Sequence, residues 1–190
     1  MTAAAMPTHQ TILTEYLQWI HVVDGICEGL IRRHQDDLRC GLRCAACCEK
    51  SPSILSIEAY YIQESLNILP KNRLWRLFQN CEESGTCPFL TENLCEIYSV
   101  RPLACRVNGL PLLYYSKNEP HVIYCDLNFR DRLPDDPFNS NDVLPMHALE
   151  SQLFEFNRRF IAENPRLFGS AESIPIHDLI RQTLDDKGMT

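Results

Sequence analysis

Apolar residues recur at three- and four-residue steps through the start of the chain and then give way to a run of cysteines. Ile12, Tyr16, Ile20, Val23, Cys27, Leu30 and Ile31 form one stripe, which predicts a long helix from about Thr11 to Arg33. A second amphipathic segment begins at "SIEAYYIQESLNIL", where Ser56 can serve as the cap and Glu58 places negative charge in the first turn. Pro70 ends it or opens the next helix. That third helix, "KNRLWRLFQNCEE", carries Leu74, Leu77 and Phe78 on one face.

The helical period then fails. "CPFLTENLCEIYSVRPLACR", Cys87 to Arg106, is punctuated by Pro, Asn and Thr and reads as a loop-rich segment with a short hairpin or one helical turn. "LPLLYY" and "HVIYC" read as two strands joined by a turn at Lys117 to Pro120, the main β element expected. After a polar connector, Asp142 can cap a helix to about Asn164, with Leu149, Leu153, Phe156, Phe160 and Ile161 inward and Pro145 in its first turn. A short final helix is expected over about Ile176 to Asp186, with Gly188 in the position of a C-terminal cap. The expected fold class is mostly α: helices around a cysteine-rich metal-binding loop region, with a small β-hairpin. One domain over 1–190 is expected, with a core at 40–125 and C-terminal helices at 142–190.

Composition adds little until the cysteines are reached. The 190 residues are 45% hydrophobic and 23% charged, ordinary for a globular protein. The net charge of −7 collects mainly in the C-terminal third and argues against general nucleic-acid binding, which needs a basic footprint. "MTAAAMPTHQTILTEYL" lacks the basic and apolar regions of a signal peptide, and no apolar run reaches the length of a membrane span. The expectation is a cytoplasmic protein with no membrane partner. A reducing compartment disfavours disulfides and makes ten cysteines read as metal ligands, redox groups or buried small hydrophobes.

"CGLRCAACC" places four of those cysteines, Cys40, Cys44, Cys47 and Cys48, within nine residues. C-x-x-C spacing lets two sulfurs converge on one metal from a tight turn. Cys47 and Cys48 are adjacent. On an extended backbone they would point opposite ways and serve different centres. Cys87, Cys95, Cys105 and Cys125 bring the candidate thiols to eight. Four thiolates suffice for a tetrahedral zinc site or a [4Fe–4S] cluster and leave either at about −2. Arg43, Lys50, Arg101 and Arg106 stand beside the cysteines and can offset that charge. Cys27 reads instead as a core residue of the first helix, and Cys81 stays open.

These motifs resemble the CxxCxxCC cysteine-cluster family, described as zinc- or iron-chelating. The resemblance rests on "CAACC" (Cys44 to Cys48), "LSIEAYYI" (Leu55 to Ile62), "CPFL" (Cys87 to Leu90), "CEIY" (Cys95 to Tyr98) and "RPLACR" (Arg101 to Arg106), in that order. The first C-x-x-C of the family is stretched here to C-x-x-x-C at Cys40. The resemblance implies zinc or iron–sulfur binding and leaves the chemistry open. The rich cysteine supply, with no histidine near the cluster, favours a [4Fe–4S] iron–sulfur cluster over zinc.

Other constellations are thin. His9, His21, His34, His121, His147 and His177 form no HxxxH or HExxH pair, and His121 is the best outside candidate for a metal. The pair Asp135 and Asp136 fits a loop. Trp19 and Trp75 read as packing residues, and Tyr98 and Arg101 could shape the metal loop. No P-loop, G-x-G-x-x-G or Ser-His-Asp arrangement is present. Three functional classes follow: an enzyme with redox or group-transfer chemistry, a zinc-stapled module that docks a protein partner, and a metal-delivery protein.

Overall fold

The computed structural model describes residues 8–41, 43–49, 52–84, 86–133, 136–167 and 173–188. Among these are six α-helices: α1 Thr8–Arg33, α2 Ser56–Asn67, α3 Lys71–Ser84, α4 Leu103–Val107, α5 Met146–Glu163 and α6 Asp178–Asp186. Seven short strands accompany them: β1 Ser53–Leu55, β2 Leu90–Thr91, β3 Leu94–Cys95, β4 Leu112–Ser116, β5 Glu119–Ile123, β6 Leu144–Pro145 and β7 Ser173–Pro175. The protein is mostly α with small sheets. No described helix is long and apolar enough to cross a membrane. Lys50 and Asp135, both singled out above, lie outside the described residues, as does the side chain of Cys81.

The expected stripe of α1 is buried from Ile12 through Leu30, while Ile31 is 48% exposed. Ile31 follows Cys27 by four residues but stands about 100° round the helix from Leu30, at the edge of the stripe, where solvent reaches it. α1 packs against α5, whose Leu149, Leu153, Phe156 and Phe160 meet it in one apolar cluster with Leu103 and Val107 of α4. A second cluster gathers Ala59, Ile62 and Leu66 of α2, Leu74 and Leu77 of α3, and Leu179, Ile180 and Leu184 of α6. α2 stands between the two, with Ile57 in the first cluster and Ala59 in the second.

The start of α2 departs from expectation. Leu55, not Ser56, is the N-cap. Leucine has no side-chain acceptor, so the orphan amides of the first turn are satisfied from elsewhere. The Leu55 N–H donates to Glu58 Oε2 at 3.0 Å, and the buried Ile57 N–H donates to Asn157 Oδ1 of α5 at 3.0 Å. α5 also starts later than expected. Asp142 ends a one-turn 3-10 helix, Ser140–Asp142, and Pro145 is the N-cap.

β4 and β5 form the expected hairpin, but the turn is only Lys117 and Asn118, both in the left-handed region at φ 50° and 67°. Such a turn matches the right-handed twist of the strands. Pro120 lies inside β5, opposite Tyr115, as an edge strand permits. Two pairings had no sequence signal. β6 adds to β4 in parallel, and β1 pairs with β7 across most of the chain. Strands of two or three residues are too short to show a period.

Candidate metal centre

Each cysteine loop is set by a local backbone device. Arg43, at φ 70°, turns the chain after Cys40, and the Cys44 N–H donates to the Gly41 carbonyl at 3.0 Å. Ala46–Glu49 is then a 3-10 turn, so Cys47 and Cys48 do not sit on extended backbone. Each thiol acts on the titration of the other, so they lie near one another, contrary to the expectation that they diverge. The backbone curvature of the turn explains the difference. The Cys87 N–H donates to the Cys48 carbonyl at 2.9 Å, which fastens the "CPFL" element to the Cys-Cys turn. Glu92 and Asn93, both at positive φ, reverse the chain so that Cys95 pairs with Leu90 across β2 and β3.

Cys105 is carried by α4, and α4 is anchored on both sides. The N-terminal amide of Leu103 donates to Glu58 Oε1 at 2.7 Å, in a buried bond. The same carboxylate therefore caps its own helix and positions the next cysteine helix. Burial raises its pKa above the ordinary range, and the two amides with Arg106 act against that rise. Arg106 is buried and grips both carboxylate oxygens of Asp24 in α1 at 2.7 Å, and donates to the Ser99 carbonyl at 2.8 Å. It ties the cysteine segment to α1. Arg101 lies over the Tyr98 ring, 3.8 Å from its centroid, and its charge works against the burial that raises Cys95 and Cys27.

The thiols reveal their neighbours through their electrostatics. Cys105 is pushed up to about 12, by burial first and then by the thiols of Cys87, Cys95, Cys47 and Cys48. Cys48, half-buried, is raised by desolvation, then by Cys87, Cys95 and Cys44, and Cys47, though exposed overall, is pushed up to about 11 by partial desolvation and by Cys48. Cys95 is raised by burial, with Cys47 adding to it. Five sulfurs from three separate parts of the chain thus share one neighbourhood. Cys40, Cys44 and Cys125 make a second set. Cys40 is exposed overall, yet partial desolvation pushes its thiol up to about 11, with Cys125 and Cys44 adding to the rise. Cys44 acts on thiols of both sets.

Asn128 builds the second set and was not anticipated. Its Oδ1 accepts the N–H groups of Arg39 at 2.7 Å and Cys40 at 3.2 Å. Its Nδ2 donates to the Gly109 carbonyl at 2.7 Å and to Cys40 Sγ at 3.2 Å. Gly109 is at φ 94°, and a Cβ there would stand 2.9 Å from Cys40 Sγ. Only glycine suits both the backbone and the sulfur. A lone Asn in "CDLNFRD" carries no sequence signal for this role.

Cys27 stands apart. It is buried in α1 and pushed up to about 11 by burial and by Asp24, with no other thiol contributing. Among the described side chains no histidine joins either set. His34 faces the Asp142 carbonyl and packs on Phe129, while His121 is exposed and stacks on Tyr114.

Gathering is not yet coordination. Among the described residues no three His, Cys, Asp or Glu donors stand in the arrangement of a ready metal site. The donor chemistry still fits a soft metal: both sets are built of thiols, which suits zinc or iron–sulfur binding and not magnesium or calcium. Glu96, which acts on Cys95, is paired with Arg73 and Arg76. Cys48, Cys87 and Cys95 belong to the α2–α3–α6 cluster, whereas α4, which carries Cys105, packs its Leu103 and Val107 into the α1–α5 cluster. The thiols therefore lie where two apolar clusters meet.

Residues 39–122 match a family model named CxxCxxCC and described as "Putative zinc- or iron-chelating domain". No curated protein and no solved structure matches the chain.

Proposed function

Taking residues 39–122 as a member of the zinc- or iron-chelating CxxCxxCC family, we propose that this chain holds an iron–sulfur cluster of the [4Fe–4S] type through its cysteine loops. The convergence of Cys47, Cys48, Cys87, Cys95 and Cys105 from three chain segments carries the reading. That set alone exceeds the four thiols such a cluster takes, and no imidazole competes for a place. Cys40, Cys44 and Cys125 are the additional ligands, for a second metal or for exchange with the first set.

When bound, such a group supplies one-electron chemistry. The chain's own contribution is to hold sulfurs, offset charge and limit solvent. Arg101 favours the thiolate at Cys95, and Asn128 donates to the sulfur of Cys40, the kind of support that tunes a thiolate-ligated centre. Metal joins loops that pack on two apolar clusters, so binding and folding of the middle segment are coupled.

Metal and acid-labile sulfide analysis of anaerobically purified protein, with its visible spectrum, tests the proposal. Iron with matching sulfide and a broad absorption bleached by dithionite is the expected result. Colourless protein holding stoichiometric zinc would replace it with a structural-zinc module that docks a protein partner.

A further inference from the structure

A cleft of about 920 Å³ opens beside the cysteine loops, with Cys47 and Cys125 on its wall. It lies between α5, the β4–β5 hairpin and α4, and its volume falls in the range of small-molecule sites. The α5 side presents Met146, Glu150, Leu153 and Phe154, spaced as one face of a helix. Leu112 and Tyr114, two apart in β4, share one face of the hairpin. Phe154 and Ile123 at this cleft are half or more exposed, an apolar surface left open to solvent.

The charge of the lining is one-sided. Glu58, Asp126 and Glu150 contribute carboxylates, and no Lys, Arg or His is among the lining residues described. Glu58 is engaged by the Leu55 and Leu103 amides. Glu150 is not. The Tyr114 hydroxyl donates to its Oε1 at a long 3.4 Å, and no ion pair to Glu150 or Asp126 occurs among the described residues. An anionic ligand would meet repulsion here, and a neutral one would leave the half-buried Glu150 uncompensated.

We propose that this cleft is a binding site for a small amphipathic cation, an organic amine whose apolar body lies against Phe154, Leu153 and Leu112 and whose ammonium pairs with Glu150. Tyr114 holds that carboxylate toward the cleft, and the aromatic lining adds attraction for a cation. Cys47 and Cys125 belong to its wall as well as to the thiol sets, so the metal state of the sample bears on the cleft.

Ligand-observed NMR titration with three near-isosteric probes tests the idea: 2-phenylethylamine, 2-phenylethanol and phenylacetate. The protein is used as purified, with metal content measured on the same sample, so that failure of the cleft and failure of the metal reading are told apart. The amine is expected to bind about tenfold tighter than the alcohol, equivalent to about 1.4 kcal/mol, with phenylacetate weakest. Glu150→Gln should bring amine and alcohol to within about twofold. Ala104→Trp, at an exposed position on the cleft, should weaken both by about tenfold or more. Equal or tighter binding of phenylacetate would overturn the proposal. So would amine affinity unchanged in both variants.

Discussion

Replacing Asn128 by alanine removes one side chain that joins three backbone segments. It is buried and makes four hydrogen bonds, to the Arg39 and Cys40 amides, the Gly109 carbonyl and the Cys40 sulfur. The bond to Gly109 is buried, so its carbonyl loses a partner where water is scarce, a penalty of about 1–3 kcal/mol. The Arg39 and Cys40 amides are only part-buried; rehydration limits their loss to about 0.5–1 kcal/mol each. The sum is about 2–5 kcal/mol, and for a chain of this size that lowers Tm by about 4–20 °C. Thermal unfolding of the metal-loaded variant beside the wild type reads it directly. Asn128→Asp should be at least as unstable as the alanine variant, since it keeps the amide bonds but turns a buried carboxylate oxygen toward the Gly109 carbonyl. A Tm within about 1 °C of wild type for Asn128→Ala would refute the reasoning, because it would mean that the loops at residues 39–40 and 109 do not rely on this side chain.

Glu58→Gln turns one acceptor oxygen into an amide donor that faces the N–H of Leu55 or Leu103. We expect about 1–3 kcal/mol of lost stability, with a fall in metal content because α4 carries Cys105; unchanged Tm and metal would contradict the anchoring role. Cys27 gives a pH prediction. Its folded pKa of about 11 exceeds the ordinary thiol value of 9.0, so the folded state keeps its proton longer than the unfolded chain. That stability is fully present below about pH 9 and is lost as pH rises through 11, up to about 2–3 kcal/mol. The stability of wild type should therefore fall more steeply between pH 9 and 11 than that of Cys27→Ala, by urea titration at each pH. Superimposable slopes would count against a buried neutral thiol there.

The long helices were legible because burial selects a three-to-four step, as Ile12 to Leu30 and Leu149 to Phe160 show. Their ends were less so. Glu58 caps α2 locally, three residues on from Leu55, but Asn157 caps it through a tertiary contact, and no local pattern at Ser56 could disclose a partner a hundred positions away. The strands of two and three residues were beyond any period, and β1 with β7 depends on the chain returning from its far end. The cysteine spacing pointed to a thiol site, and the structure brings Cys47, Cys48, Cys87, Cys95 and Cys105 into mutual influence. What the spacing could not convey was the division of the thiols into two sets, or the nearness of Cys47 to Cys48, because both follow from how the 3-10 turn and the Asn128 contacts fold.

The central claim is that sulfur atoms from distant segments surround one metal centre. X-ray absorption at the edge of the bound metal, on anaerobically purified protein, measures that shell most directly. The account predicts a first shell of sulfur alone, at about 2.3 Å, with a metal–metal distance beyond it when iron is present. A first shell dominated by nitrogen or oxygen would contradict it.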